Sequence, residues 1–204
     1  HLDRAGTYHS TVDLLTEKGV RDGTSLSLAG KHAVIPMVHA SELYDVEALH
    51  QRVRSYIEQM ITNGTSRADT VVDTTCDGVG ASAVDTLLRL KSELARHIDF
   101  RVGACCPLGF RDDQPERWAL LEDAAARADF IGLLPERDDR ADYPEHIGYK
   151  ESCLRGIRLA AKLGKDIHIH VDQSNHAAES GGELVARLVR ELDLGRSSGQ
   201  DPFI

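Results

Sequence analysis

No apolar run in this chain is long enough to span a bilayer, and no basic-then-apolar segment resembles an export signal. Positive charge is scarce: 24 Lys and Arg stand against 33 Asp and Glu, a formal net charge of −9. No expected helix carries a basic stripe, so a nucleic-acid backbone or an anionic membrane surface is a poor partner. Only four cysteines occur, Cys76, Cys105, Cys106 and Cys153, and none forms a C-x-x-C pair. Adjacent Cys105 and Cys106 point to opposite faces of a strand and cannot easily bridge each other. They read as reduced thiols of a cytoplasmic protein. Aromatic residues make up 5% of the chain, so a ligand pocket here relies on polar contacts more than on stacking. What is present is a soluble globular composition, 41% hydrophobic and 28% charged over 204 residues, enough for one domain with its own core. Histidine is abundant, with ten residues, and favours metal or acid–base chemistry.

From about residue 45 the pattern alternates. "DVEALHQRVRSYIEQMITNG" places Val46, Leu49, Val53, Ile57 and Met60 at helical spacing, with Asp45 as N-cap and Gly64 past the end. Short β-branched or apolar runs, "RADTVVDT", "IDFRVGACC", "DFIGLLP" and "DIHIHV", then interleave with amphipathic helices. The last of these helices, around "AAESGGELVARLVRELDLG", is expected to fray or break at Gly181 and Gly182. Strands begin near residues 67, 98, 129 and 166, a recurrence of about thirty residues, the size of a βα unit. Apolar strands alternating with helices imply a parallel sheet covered by helices. The expectation is an α/β fold of (β/α)8 TIM-barrel type, the chain covering roughly the end of strand 1 through helix 5. Residues 1–42, rich in Gly, Ser and Thr without a clean period, form a long active-site loop; residues 43–195 form successive βα units. Residues 196–204, "GQDPFI" included, start a further strand, and the whole reads as a segment of a longer barrel. An open flavodoxin-like sheet binding a small anion is the competing α/β topology, with "DGVGAS" as its nearest Gly-rich turn.

In parallel βα proteins chemistry collects at the C-terminal ends of strands. Those ends carry Asp73, Thr74 and Thr75; Cys105 and Cys106; Glu136, Arg137, Asp138 and Asp139; and His168, His170, Asp172, Gln173 and Asn175. The opening "HLD" adds His1 and Asp3 in the matching position after a first strand. Acids and histidines thus gather at one rim. His168 and His170 share a strand face, His170 nearer the end; such a pair is either a metal site or two core histidines with satisfied hydrogen bonds. Glu136 is a metal ligand, an acid–base group, or the first residue of a solvated charged run.

The stretches "HLDRAG", "NGTSRADTVVD", "FIGLLPE" and "IHIHVDQ", in this order and spacing from His1 to about Gly195, resemble the amidohydrolase superfamily, and within it the cytosine deaminase-like branch. The resemblance implies a (β/α)8 barrel whose first strand ends in H-x-H. His1 matches the second histidine of that pair and His170 the fifth-strand histidine, both metal ligands, with a divalent ion, zinc or iron, as cofactor. The remaining ligands of that pattern would fall before residue 1 and after Ile204. Where those deaminases carry a proton-shuttling glutamate three residues after the fifth-strand histidine, this chain has Gln173, which cannot relay a proton. Where they place a substrate-binding glutamine after the third strand, it has Pro107. The implied activity is metal-dependent hydrolysis of a C–N bond in a cyclic amide, an amidine or a nucleobase-like small molecule. In that reading Glu136 and Gln173 are catalytic, Gln173, Asn175 and Asp73 bind substrate, and Asp172 supports its neighbours as a hydrogen-bond acceptor. The expected partner is a small molecule, with neither nucleic acid nor membrane, and a homo-oligomer is left open. The alternative is a catalytically incomplete barrel fragment or scaffold.

Overall fold

The computed structural model describes residues 1–17, 26–173 and 176–192. Four strands, Arg67–Asp73 (β1), Asp99–Cys105 (β2), Phe130–Leu133 (β3) and Asp166–Ile169 (β4), pair in parallel and in chain order, β1-β2-β3-β4. The register aligns Val71 with Gly103, Ala104 with Ile131, and Ile131 with Ile167. Each crossover steps one strand further in the same direction. A flavodoxin-like sheet reverses direction at a switch point, so this order favours the barrel topology.

Helices Val46–Thr62 (α4), Ser82–Leu94 (α5), Pro115–Arg127 (α6) and Tyr149–Leu163 (α7) cover one sheet face. Val72, Phe100, Val102, Ala104, Ile131, Leu133 and Ile167 point into that layer and form one buried core with Leu49, Val53, Ile57, Leu87, Leu90, Leu121 and Ala160. The intervening residues belong to the other face, where Val71, Cys105 and Phe130 make a small separate cluster. Two glycines make that cluster possible: a Cβ at Gly103 would lie 2.4 Å from the Phe130 ring, and one at Gly132 2.6 Å from Val71. Nearer the strand starts, Arg101 pairs with Asp166 and Asp69 and lies 5.7 Å above the Phe130 ring.

Element boundaries follow local chemistry. Pro115 opens α6, where its missing N–H costs no bond. Gly164, at φ 62°, closes α7 in the left-handed conformation, and Gly64 at φ 86° follows α4. Asp45 holds the N-cap position of α4, but its side chain makes no capping bond. The last described helix, Gly181–Glu191 (α8), starts at the glycine pair, where the sequence suggested a frayed or broken start.

Residues 1–42 depart from the expected loop. They contain Tyr8–Glu17 (α1), Leu28–His32 (α2), Ile35–His39 (α3), a 3₁₀ turn at Leu2–Arg4 and the start of another at Glu42–Tyr44. Helices of five residues are too short to display a period. Ser27 Oγ caps α2 by accepting from Gly30 N–H at 3.1 Å, and Arg52 of α4 ties down the two 3₁₀ turns by donating to the carbonyls of Asp3, Ala5 and Leu43. The expected strand at 196–204 lies outside the described residues.

Candidate active site

β1 ends at Asp73, and the chain's first residues are built around that end. Asp73 N–H donates to Asp3 Oδ2 at 3.0 Å, so a side chain takes the place of a ladder carbonyl. Arg4 grips the Asp73 carboxylate with two bonds, 2.7 and 2.6 Å. His39, on α3, bridges Asp73 at 2.9 Å and Asp77 at 2.7 Å, one ring nitrogen to each carboxylate. An imidazole that meets carboxylates on both nitrogens is doubly protonated. Tyr44 O–H lies 3.1 Å from Asp3 Oδ2 and 3.2 Å from Asp73 Oδ2, one proton serving two acceptors.

The electrostatics follow from this packing. Burial works to raise the Asp73 pKa, but Arg4 and His39 outweigh it and hold the carboxyl below its usual range. Burial and the Asp73 charge together push Asp3 up to about 6. For His39 burial works downward, yet its bonds to Asp73 and Asp77 prevail and lift it to about 9.

His1 stands over this network, its Nδ1 3.8 Å from Asp3 Oδ1 and 3.7 Å from Asp73 Oδ1. His170 comes to it from the far end of the sheet, with ring centroids 5.6 Å apart. β4 ends at Ile169, but His170 N–H still donates to Leu133 O at 2.9 Å, so its backbone is fixed by β3. His168 stacks against it at 4.7 Å. Burial first, then the neighbouring His168, lowers the His170 pKa and favours neutral imidazole. His170 Nε2 is buried and hydrogen-bonds to no protein atom. Asp3 Oδ1 is likewise buried without a hydrogen bond. Among the described residues His1, Asp3 and Asp73 form one group whose candidate ligand atoms lie within 4.8 Å of one another. Asp73 is the poor member, because Arg4, His39 and Tyr44 already occupy its oxygens. Expected to touch substrate, Asp73 is instead fully buried beneath the histidines and orients the groups around it.

A second pole forms at the end of β3, where Pro135–Asp138 make a 3₁₀ turn. Glu136 is 7% exposed, and Gln173 Nε2–H donates to its Oε2 at 3.1 Å. Burial raises the Glu136 pKa, against the bonds from its own backbone and Gln173. Glu136 and Gln173 are thus a pair. Asp172 has φ 59°, a left-handed conformation rare outside glycine, and its two oxygens accept from Gly181 and Gly182 N–H at 2.7 and 3.0 Å. It caps α8, which explains why that helix starts on glycines. A cavity of about 580 Å³ opens beside Glu136, Tyr149, Asp172 and Gly181. Asn175 lies outside the described residues.

The structure brings His1, His170 and Asp73 to one place and Glu136 to Gln173. Sequence reasoning missed His39, Tyr44 and Asp77; the only signal was the isolated charge of Asp73, which demanded partners once buried.

No family model matches the chain, and no curated protein matches it. Solved structures do. 5-Methylcytosine deaminase from Klebsiella pneumoniae, liganded with phosphonocytosine, superposes with a TM-score of 0.69 at 23% identity, over 83% of this chain and 39% of that one. The same enzyme with 5-fluorocytosine gives 0.68. N-isopropylammelide isopropylaminohydrolase from Burkholderia multivorans gives 0.61 at 20% identity, over 83% of this chain and 41% of that one. The chain therefore spans about two fifths of the length of these structures. At such identities the likeness establishes the fold alone: the parallel βα run is shared with these structures.

Proposed function

We propose that this chain builds part of a metal-dependent C–N hydrolase site of the amidohydrolase type, akin to cytosine deaminases, acting on a cyclic amide, an amidine or a nucleobase-like ring. The observation that carries this reading is the convergence of His1, beside β1, and His170, just after β4, from opposite edges of the sheet, with His170 Nε2 buried and unbonded. A neutral imidazole with a free ring nitrogen, beside a second histidine and the free Oδ1 of Asp3, suits a divalent cation, zinc or iron. His1 and His170 would hold it. The chemistry such an ion supplies is activation of water near neutral pH.

The chain's own residues divide the remaining work. Glu136, buried and with its pKa raised by that burial, is the carboxyl that carries a proton to the leaving amine. Gln173 cannot titrate; its amide orients the Glu136 carboxyl at the position where related deaminases carry their glutamate. Asp73, locked by Arg4 and His39, fixes the floor under His1. Four unpaired cysteines suit the reducing cytoplasm.

Zinc titrated into chelator-treated protein tests this. Wild type is expected to bind one ion, and His170→Ala to weaken binding roughly tenfold or more. Glu136→Gln is expected to keep the ion and to lose roughly 10²- to 10⁴-fold in C–N hydrolysis. A chain that takes up neither zinc nor iron overturns the proposal. The second reading, a catalytically incomplete scaffold, draws on the two-fifths span of the neighbours' length. Metal uptake without turnover of any cyclic amidine would select it.

A further inference from the structure

Arg137 sits on the same 3₁₀ turn as Glu136, bracketed in sequence by three carboxylates, and pairs with none. Glu136 is held by Gln173. Asp138 accepts from Phe110 N–H at 2.6 Å and faces His146 Nδ1 at 3.2 Å. Asp139 accepts from Ala141 N–H at 2.9 Å. Among the described residues no carboxylate lies within ion-pair distance of the Arg137 guanidinium. It stacks instead on the Tyr143 ring, with Cζ 4.0 Å from the centroid, and its Nε is buried with no hydrogen-bond partner.

The seat beneath it is built. Tyr143 O–H lies 3.2 Å from His32 Nδ1, and its ring lies 5.2 Å from that of His146. His32 is buried, and burial together with the charges of Arg137 and Arg4 drives its pKa down to about 4. It therefore supplies no second cation beside the Arg137 guanidinium. Arg4 is the residue that grips Asp73 under His1, so the Arg137 fork stands on the same strand-end rim as the candidate catalytic groups. A guanidinium stacked on an aromatic ring, with its acidic neighbours engaged elsewhere, is arranged for an acceptor that the protein does not provide.

We propose that Arg137 is an anion-reading group of this site: the substrate ring carries a negatively charged oxygen, as carboxylate or ionised ring oxygen, that docks on the Arg137 guanidinium, with Tyr143 and His32 holding the fork. This rests on the hydrolase reading for its substrate and extends it from a neutral ring to an acidic one.

The test is titration of the full chain with orotate (a ring carboxylate), acetate (the charge alone) and uracil (the neutral ring), following the arginine Nε–H resonances by NMR. Wild type is expected to bind orotate saturably, at least tenfold more tightly than uracil, with the Arg137 signal shifting for orotate and acetate alike. Arg137→Gln should reduce orotate to the level of uracil, and Arg137→Lys, which keeps charge but not the fork, should retain part of the preference. Tyr143→Leu removes the seat while leaving the charge and should weaken orotate severalfold; the same spectra report whether each variant is folded. Absence of saturable orotate and acetate binding by wild type overturns the proposal, as does a folded Arg137→Gln that keeps its orotate affinity. Zinc content measured on the same samples separates the two ideas. A wild type that takes up zinc but shows no anion preference defeats the Arg137 proposal alone, and anion binding by wild type without zinc uptake defeats the hydrolase reading alone.

Discussion

At the end of β1 one carboxylate, Asp73, answers two cations, and removing its charge strands Arg4 and leaves His39 with Asp77 alone. Asp73→Asn is expected to cost about 3 kcal/mol in urea unfolding, since breaking a buried ion pair leaves an uncompensated charge. A loss under about 1 kcal/mol would mean that solvent reaching Arg4 screens the pair. His170, Glu136 and Gln173 stood out in the sequence because each follows a strand end, which periodicity locates, whereas His1 was singled out by the resemblance of "HLDRAG" to a first-strand motif. His39, Tyr44 and Asp77 were not. Their roles depend on contacts between α3, the turn at Glu42–Tyr44 and β1, and no local pattern encodes which buried acid a histidine will meet. Asp172 was rightly expected as an acceptor, but its partners are helix amides of Gly181 and Gly182 rather than neighbouring side chains.

At the level of elements, helices α4 to α7 and the four strands were readable almost to the residue, because long amphipathic stretches and β-branched runs carry their own period. The helices α2 and α3 were not, since five residues make little more than one turn. Two predictions belong here. Asp172→Ala should cost about 1 kcal/mol and speed amide exchange in the first turn of α8, because two N–H groups lose their acceptor. Asp172→Asn, which tolerates φ 59° and keeps one of the two acceptor oxygens, should cost less. On the sheet's second face, Gly103→Ala should cost about 1–3 kcal/mol by driving a methyl into the Phe130 ring. Phe130→Leu in the same chain should recover part of that loss. Thermal melts of the single and double variants check it, and additive losses would show that the two sites are not in steric contact.

For the molecule as a whole, stability should depend on pH through the β1 network. The His39 pKa rises from 6.5 to about 9 on folding, so its contribution is complete below 6.5 and is lost as pH climbs through 9. The groups facing it, Asp73 and Asp77, are lowered from 3.8; their contribution is complete above 3.8 and is lost as pH falls through their depressed values. Asp3, raised to about 6, works the other way and withdraws stability between 3.8 and 6. The alkaline limb is thus the cleaner test: melting temperature should fall between pH 6.5 and 9.5 in wild type, with a flatter slope in His39→Gln. The barrel-type order of the sheet was readable at this scale, while the helical cover over its strand ends was legible only as an irregular stretch. That cover bears on how accurately the site is held. Because Asp3 closes the β1 ladder with its own carboxylate, the placement of His1 inherits the precision of a sheet hydrogen bond.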